Sequence, residues 1–175
     1  MKEEGLRLFI AFRVDPAARR EIVRLQEQLW GAGCRGLTRP ENLHLTLAFL
    51  GQTDPGRLDQ VYGAMDRSGV RPMKLYFDRV GMFHRAEGDI WWLGMKENRV
   101  LLDLQSRLVQ ALRQADFPVE DRSFKPHLTL ARRARPRSVP DRLEKSICVH
   151  VQGASLMRSQ RLDGKLIYTQ LYHTS

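Results

Sequence analysis

The word HLTL occurs twice in this chain, at 44–47 and at 127–130, with an offset of 83 residues. Each copy opens a strand-like run, HLTLAFLG and HLTLARR. Strict alternation places His44, Thr46 and Ala48 on one face and Leu45, Leu47 and Phe49 on the other, which is the face suited to a core. The likeness extends beyond the word. Moving back 35 residues from each copy reaches an apolar strand, at Phe9 in LRLFIAF and at Trp92 in IWWLG. Moving forward reaches VGMFHR (80–85) after one copy and QGASLMR (152–158) after the other. A repeat of this kind predicts an internal duplication of a β-α-β-rich unit, with the second copy shorter in its later part. At 175 residues the chain suits a single domain, residues 1–175, of two lobes.

Local signals give the order of elements. Asp15-Pro16 and Asp54-Pro55 each read as an N-cap followed by proline at the first helical position. Ile22, Leu25 and Leu29 then follow at helical spacing, as do Leu58, Val61, Tyr62 and Met65. Asn98 caps a third helix with a stripe of Leu101, Leu104, Leu108 and Leu112. MKLYFDRVGMF (73–83), DIWWLGMK (89–96), ICVHVQGASLMRS and KLIYTQLY read as strands, and Asp163-Gly164 as a hairpin turn.

A formal charge of +9 points to an anionic partner, with nucleic acid favoured over membrane because no basic amphipathic helix stands out. The two cysteines, Cys34 and Cys148, form no CxxC pair, which argues against a zinc cluster and against a disulfide scaffold. The apolar run near the start is too short for a signal peptide, and no segment approaches the length of a membrane helix. A cytoplasmic protein is expected, with no cofactor and no obligate protein partner demanded.

If the two HLTL strands face each other across a pseudo-two-fold axis, His44, Thr46, His127 and Thr129 converge. Two imidazoles flanking a phosphate can divide general-acid and general-base work, because each can hold or lack a proton near neutrality. Two hydroxyls can steady its non-bridging oxygens. The competing readings are a strand with a tolerated histidine, which the repeat disfavours, and a metal site, which wants a third ligand that neither word offers.

These residues resemble the 2H phosphoesterases, named for two H-x-[ST]-x motifs, and among them the RNA 2′,3′-cyclic phosphodiesterases, also described as 2′-5′ RNA ligases. LRLFIAF, HLTLAFLG, GMF followed by an arginine, WWLG, PHLTLAR and the closing SQRLDGKLIY segment fall in the family's order. The resemblance implies a bilobal α+β fold, with two pseudo-symmetric antiparallel sheets, helices outside and a central groove. It implies metal-independent opening of a terminal 2′,3′-cyclic phosphate to a 2′-phosphomonoester, reversible as 2′-5′ ligation. By that analogy His44 is the acid, His127 the base, and Thr46, Thr129 and Arg132 hold the phosphate of an RNA end, a tRNA half being one example. Strict alternation sets Arg132 on the leucine face, so this role needs the strand to end or bulge near Ala131. Arg158 stands where relatives often carry an acidic residue.

Phe83 is the expected base-stacking ring and Phe49 an expected core residue. The run ARRARPR (131–137), with Arg133 and Arg135, is expected to draw in the RNA backbone. His84 is expected in an exposed turn, His150 on a solvent face and His173 in a frayed end. Alternatives to the RNA reaction are a phosphodiesterase for small cyclic nucleotides or ADP-ribose cyclic phosphate, and a non-catalytic module that binds RNA ends.

Overall fold

A computed structural model describes residues 4–120 and 123–174. Nine strands and three helices follow one another in the order β1 (Leu6–Arg13), α1 (Pro16–Trp30), β2 (His44–Thr53), α2 (Leu58–Arg67), β3 (Met73–Phe77), β4 (Arg79–Phe83), β5 (Ile90–Gly94), α3 (Arg99–Gln114), β6 (His127–Arg132), β7 (Ile147–Val151), β8 (Ser155–Leu162) and β9 (Lys165–His173). The helix signals act as expected. The Asp15 carboxylate accepts from the Ala18 N–H, and the Asn98 side chain accepts from the Leu101 N–H at 3.0 Å. At Asp54 the chain first makes a short 3-10 turn, Pro55–Arg57, and α2 begins at Leu58.

Seven strands form one antiparallel sheet in the order β4-β5-β6-β2-β1-β8-β9, while β3 and β7 pair separately. The two HLTL strands lie side by side at its centre, in register at the single pair Leu45 and Leu128. Beyond that pair the two half-sheets part. The loop at 36–38 takes up the place beside β6, where Thr38 N–H donates to the Leu130 carbonyl and Arg132 N–H to that of Gly36. The strand order mirrors itself about the seam: β6, β5 and β4 on one side, β2, β1 and β8 on the other.

Two long predicted strands are in fact broken. The run 73–83 divides at Asp78 into β3 and β4, and the run 147–159 divides near Gly153 into β7 and β8. In both cases the chain changes sheet at the break, so an unbroken ladder is impossible. Asp78 secures its corner by accepting from Arg79 and Arg142. The Asp163-Gly164 turn is as expected, with positive φ at both residues, the pattern of a tight hairpin. His173 is not frayed: it closes β9, and its Nδ1 lies 3.0 Å from the Ser155 hydroxyl.

The helices cover one face of the large sheet. Ile22 and Leu25 of α1, Val61 of α2 and Leu101, Leu104 and Leu108 of α3 bury against Leu8, Ile10, Leu45, Leu47, Leu93 and Leu128. The other face carries a small separate cluster, Phe9, Ala11 and Met157 with Tyr168 against it. No helix among the described residues is long and apolar enough to cross a membrane.

Candidate active site

The four motif residues meet on the open face, at the seam. Leu45 and Leu128 are partners in an antiparallel register, so His44 falls beside Thr129 and Thr46 beside His127, all four on the face opposite the leucines. The arrangement is that of two strand ends crossing diagonally, with an imidazole and a hydroxyl from each.

Both imidazoles are held in the same way. His44 Nδ1 lies 2.7 Å from the Asn42 carbonyl and His127 Nδ1 lies 2.7 Å from the Lys125 carbonyl, in each case two residues upstream. A carbonyl only accepts, so Nδ1 carries the proton in both rings and Nε2 is the atom that gains or loses one. His44 Nε2 lies 2.9 Å from the Thr46 hydroxyl. That hydroxyl donates to the neutral ring and accepts from the protonated one. Burial lowers both histidines below the ordinary imidazole range, partly opposed by the carbonyl bonds. The Arg132 charge lowers both further, and the charge of His127 also lowers His44. In the free protein both rings are therefore predominantly neutral at pH 7.

Arg132 reaches this face because β6 bulges. Trp92 pairs with Thr129 and Trp91 with Ala131, leaving Leu130 without a partner. Leu130 and Ala131 are both buried in succession, and the parity of the strand is reset for Arg132. β2 does the same at Leu47, between the pairs Ala11–Thr46 and Ile10–Ala48. The bulge overturns the expected place of Phe49. That ring is 66% exposed on the open face, 6.2 Å from Phe9 between centroids, and Ala48 is buried in its stead.

Aromatic rings frame the histidines. His127 meets the Phe83 ring edge to face at 5.1 Å, with Trp92 at 6.5 Å. His44 packs against Phe9 at 4.9 Å and edge to face with Tyr168 at 5.2 Å. Burial raises the Tyr168 hydroxyl while the charges of Arg132, Arg7 and Arg161 pull it down. Phe9 and Tyr168 are absent from the sequence-based site. Their signal was available: Phe9 alternates with Leu8 and Ile10, and Tyr168 lies in the closing family-like segment.

The remaining predicted residues stand apart. Of the arginines at 131–137, Arg132 alone acts on both imidazoles. Arg133 has a positive φ and its guanidinium lies 3.8 Å from Glu87, while Arg135 is exposed. Arg158 pairs with Leu8 and so lies on the helix-covered side of the sheet, away from the histidines. His84 is exposed and bonded to Asp89 at 2.8 Å, and His150 is exposed on β7. No group of three or more metal-ligating side chains occurs among the described residues. The Arg132 charge, felt by both imidazoles, favours an anion beside them and opposes a cation.

Trp92 owes its position to two glycines. A Cβ on Gly81 would stand 2.2 Å from the indole, and one on Gly94 would stand 2.5 Å from it. The indole thus lies flat across the β4 and β5 backbones beside His127. Gly81→Ala is expected to destabilise the fold by about 1–3 kcal/mol, as overpacking at a rigid ring does. Urea unfolding measures that loss, and indole fluorescence reports the displaced ring.

A paired-histidine site on adjacent antiparallel strands, with hydroxyls and one arginine and, among the described residues, no carboxylate bonded to either ring, defines a two-histidine phosphoesterase. The chain belongs to the 2′-5′ RNA ligase superfamily, whose profile matches residues 13–163. It is 32% identical over 128 residues to the RNA 2′,3′-cyclic phosphodiesterase of Archaeoglobus fulgidus, covering 73% of this chain and 72% of that one. The protein of the same name from Methanothermobacter thermautotrophicus is 29% identical over 179 residues, covering 95% and 96%. The crystal structure of Escherichia coli LigT complexed with 3′-AMP superposes with a TM-score of 0.82 at 25% identity, covering 99% of each chain. The fold is thus the α+β fold of the 2H phosphoesterases, with the two lobe sheets continuous across the seam.

Proposed function

We propose that this protein opens RNA 2′,3′-cyclic phosphate ends to 2′-phosphomonoesters by two-histidine acid–base catalysis, without a metal. The observation that carries the reading is the pair of imidazoles on one open face, each with Nδ1 tied to a carbonyl and Nε2 left for chemistry, with the charge of Arg132 acting on both. Its relatives' names and the 3′-AMP bound by LigT agree with it.

In this reading the phosphodiester anion sits against Arg132, Thr46 and Thr129. His127 Nε2 takes a proton from water as the water oxygen bonds to phosphorus. The P–O3′ bond breaks, and His44 Nε2 gives its proton to the departing O3′. One ring must therefore enter the reaction protonated and the other neutral. The bound anion favours taking up that one proton, because a negative charge raises a neighbouring imidazole's affinity for it. With a 5′-hydroxyl in place of the water and the two histidines in the same roles, the step joins two strands as a 2′-5′ bond, and return of that bond to the cyclic end exchanges acid and base. Phe83, which meets the His127 ring, is the contact for the RNA chain, and the exposed Arg133 and Arg135, farther off, draw in its backbone; a tRNA half is one RNA that carries such an end. We take the protein to act in the cytoplasm, as a single two-lobed domain that arose by duplication.

The test is a short RNA ending in a 2′,3′-cyclic phosphate, incubated in excess EDTA, with the product identified by chromatography. Wild type is expected to give the 2′-phosphate alone. A 3′-phosphate product would overturn the assignment of the leaving oxygen, and loss of turnover on chelation would overturn the metal-free mechanism. Turnover confined to small cyclic nucleotides would move the substrate, and silence on both would leave an RNA-end-binding module.

A further inference from the structure

Each motif bulge is anchored from beneath by a glutamine. The Leu130 carbonyl accepts from Gln26 Nε2 at 2.9 Å, and the Leu47 carbonyl accepts from Gln105 Nε2 at 3.1 Å. The anchors cross over. Gln26 lies on α1, between β1 and β2 in the chain, yet it holds β6. Gln105 lies on α3, between β5 and β6, yet it holds β2. Gln26 is 3% exposed, and the same amide nitrogen also donates to the Thr38 carbonyl at 3.0 Å. A buried amide is retained at such a place only if its bonds are made, and here Gln26 ties the bulge carbonyl of Leu130, as a second donor beside the Thr38 N–H at 2.9 Å, to the 36–38 loop through the Thr38 carbonyl.

We propose that Gln26 and Gln105 are positioning residues which set the bulges at Leu130 and Leu47 and so turn Arg132 and Phe49 onto the face that holds the histidines. The alternation of the strands supplies the reason. Without the extra residue at Leu130, the position after Thr129 on the open face would be Ala131, and Arg132 would point among the buried leucines. A guanidinium is not accommodated there, so the end of β6 would loosen and withdraw the charge from the imidazoles. Without the extra residue at Leu47, Ala48 would take the place of Phe49.

The test uses Gln26→Met, which keeps the length of the side chain and removes its donors. Titration of His44 and His127 by NMR is expected to move upward in Gln26→Met, in the direction produced by Arg132→Gln. KM for the cyclic-phosphate RNA is expected to rise about tenfold, the weight of one hydrogen bond to a charged group. The double variant with Arg132→Gln should be no worse than Arg132→Gln alone. Unmoved histidine titrations in a folded Gln26→Met, or losses that add, would overturn the proposal and leave a purely structural glutamine. The KM measurement rests on the proposed activity; the titrations do not, so an inactive protein would sink that reading and leave this one standing or falling by itself. If Gln26→Met does not fold, Gln105→Met at its half-buried site decides. Loss of the proton–proton contact between the Phe49 and Phe9 rings is expected, and its retention overturns the proposal.

Discussion

His127→Ala should lower turnover of a 2′,3′-cyclic phosphate RNA by roughly 10²–10⁴-fold, the usual weight of one general acid or base. His44→Ala should be as severe. The two together should cost little more than either, since the chemistry needs both protons to move in one passage. Neither change should unfold the chain. Both rings stand on the open face, and the buried cluster of leucines beneath them stays filled. Urea midpoints near the wild-type value, alongside the lost turnover, would separate chemistry from folding. An Ala variant that kept its activity would remove that histidine from the mechanism.

Arg132→Gln should have two effects, and their combination is diagnostic. Loss of a charged donor to the phosphate should reduce kcat/KM by about 10²–10³-fold, as removing one donor to a developing anion does. The histidines should also change. Burial, and to a lesser degree the Arg132 charge, lowers both His44 and His127, so neutralising Arg132 raises both. The sign follows from charge: a nearby cation disfavours imidazolium, and its removal favours it. In wild type the kcat/KM profile should be highest below pH 6.5, falling about tenfold per unit on the alkaline side, where neither ring is protonated. In Arg132→Gln that alkaline limb should lie at higher pH. A limb that stays in place, with NMR titrations unmoved, would mean that Arg132 does not face the imidazoles.

Most of the site could be read in advance because its two histidines and two threonines occur as a repeated word, and a word survives any uncertainty about register. The helices were equally legible, because Asp15, Asn98 and their leucine stripes are local signals. The failures are of one physical kind. Alternation assumes an unbroken pleat, and both motif strands break it at the second leucine. No residue type at Leu47 or Leu130 announces this, since the side chains that donate to the two bulge carbonyls lie 58 and 104 residues away and the Thr38 N–H that joins Gln26 at Leu130 belongs to a distant loop. Strict alternation therefore points Phe49 inward, and only the family resemblance puts Arg132 on the histidine face. The division of 73–83 at Asp78 was hidden for a related reason: where a strand leaves one sheet for another is a property of its neighbours.

The strand order and register are mirrored about the seam, bulges included, but the residues at equivalent positions are not. Opposite Thr46 stands Ala11, a methyl group, whereas opposite Thr129 stands Trp92, a full indole. A site with perfect two-fold symmetry would admit a cyclic phosphate in two equivalent poses. Acid and base would then be interchangeable labels, and half of all encounters would present the wrong ester oxygen to the proton donor. The indole beside His127 and the Phe9 and Tyr168 rings beside His44 are differently placed and give the site a handedness. A ribose has a bulky side and a narrow side, and such a site can tell them apart. Under the proposed chemistry, that small mismatch between two otherwise equivalent strands is what lets the enzyme distinguish O2′ from O3′.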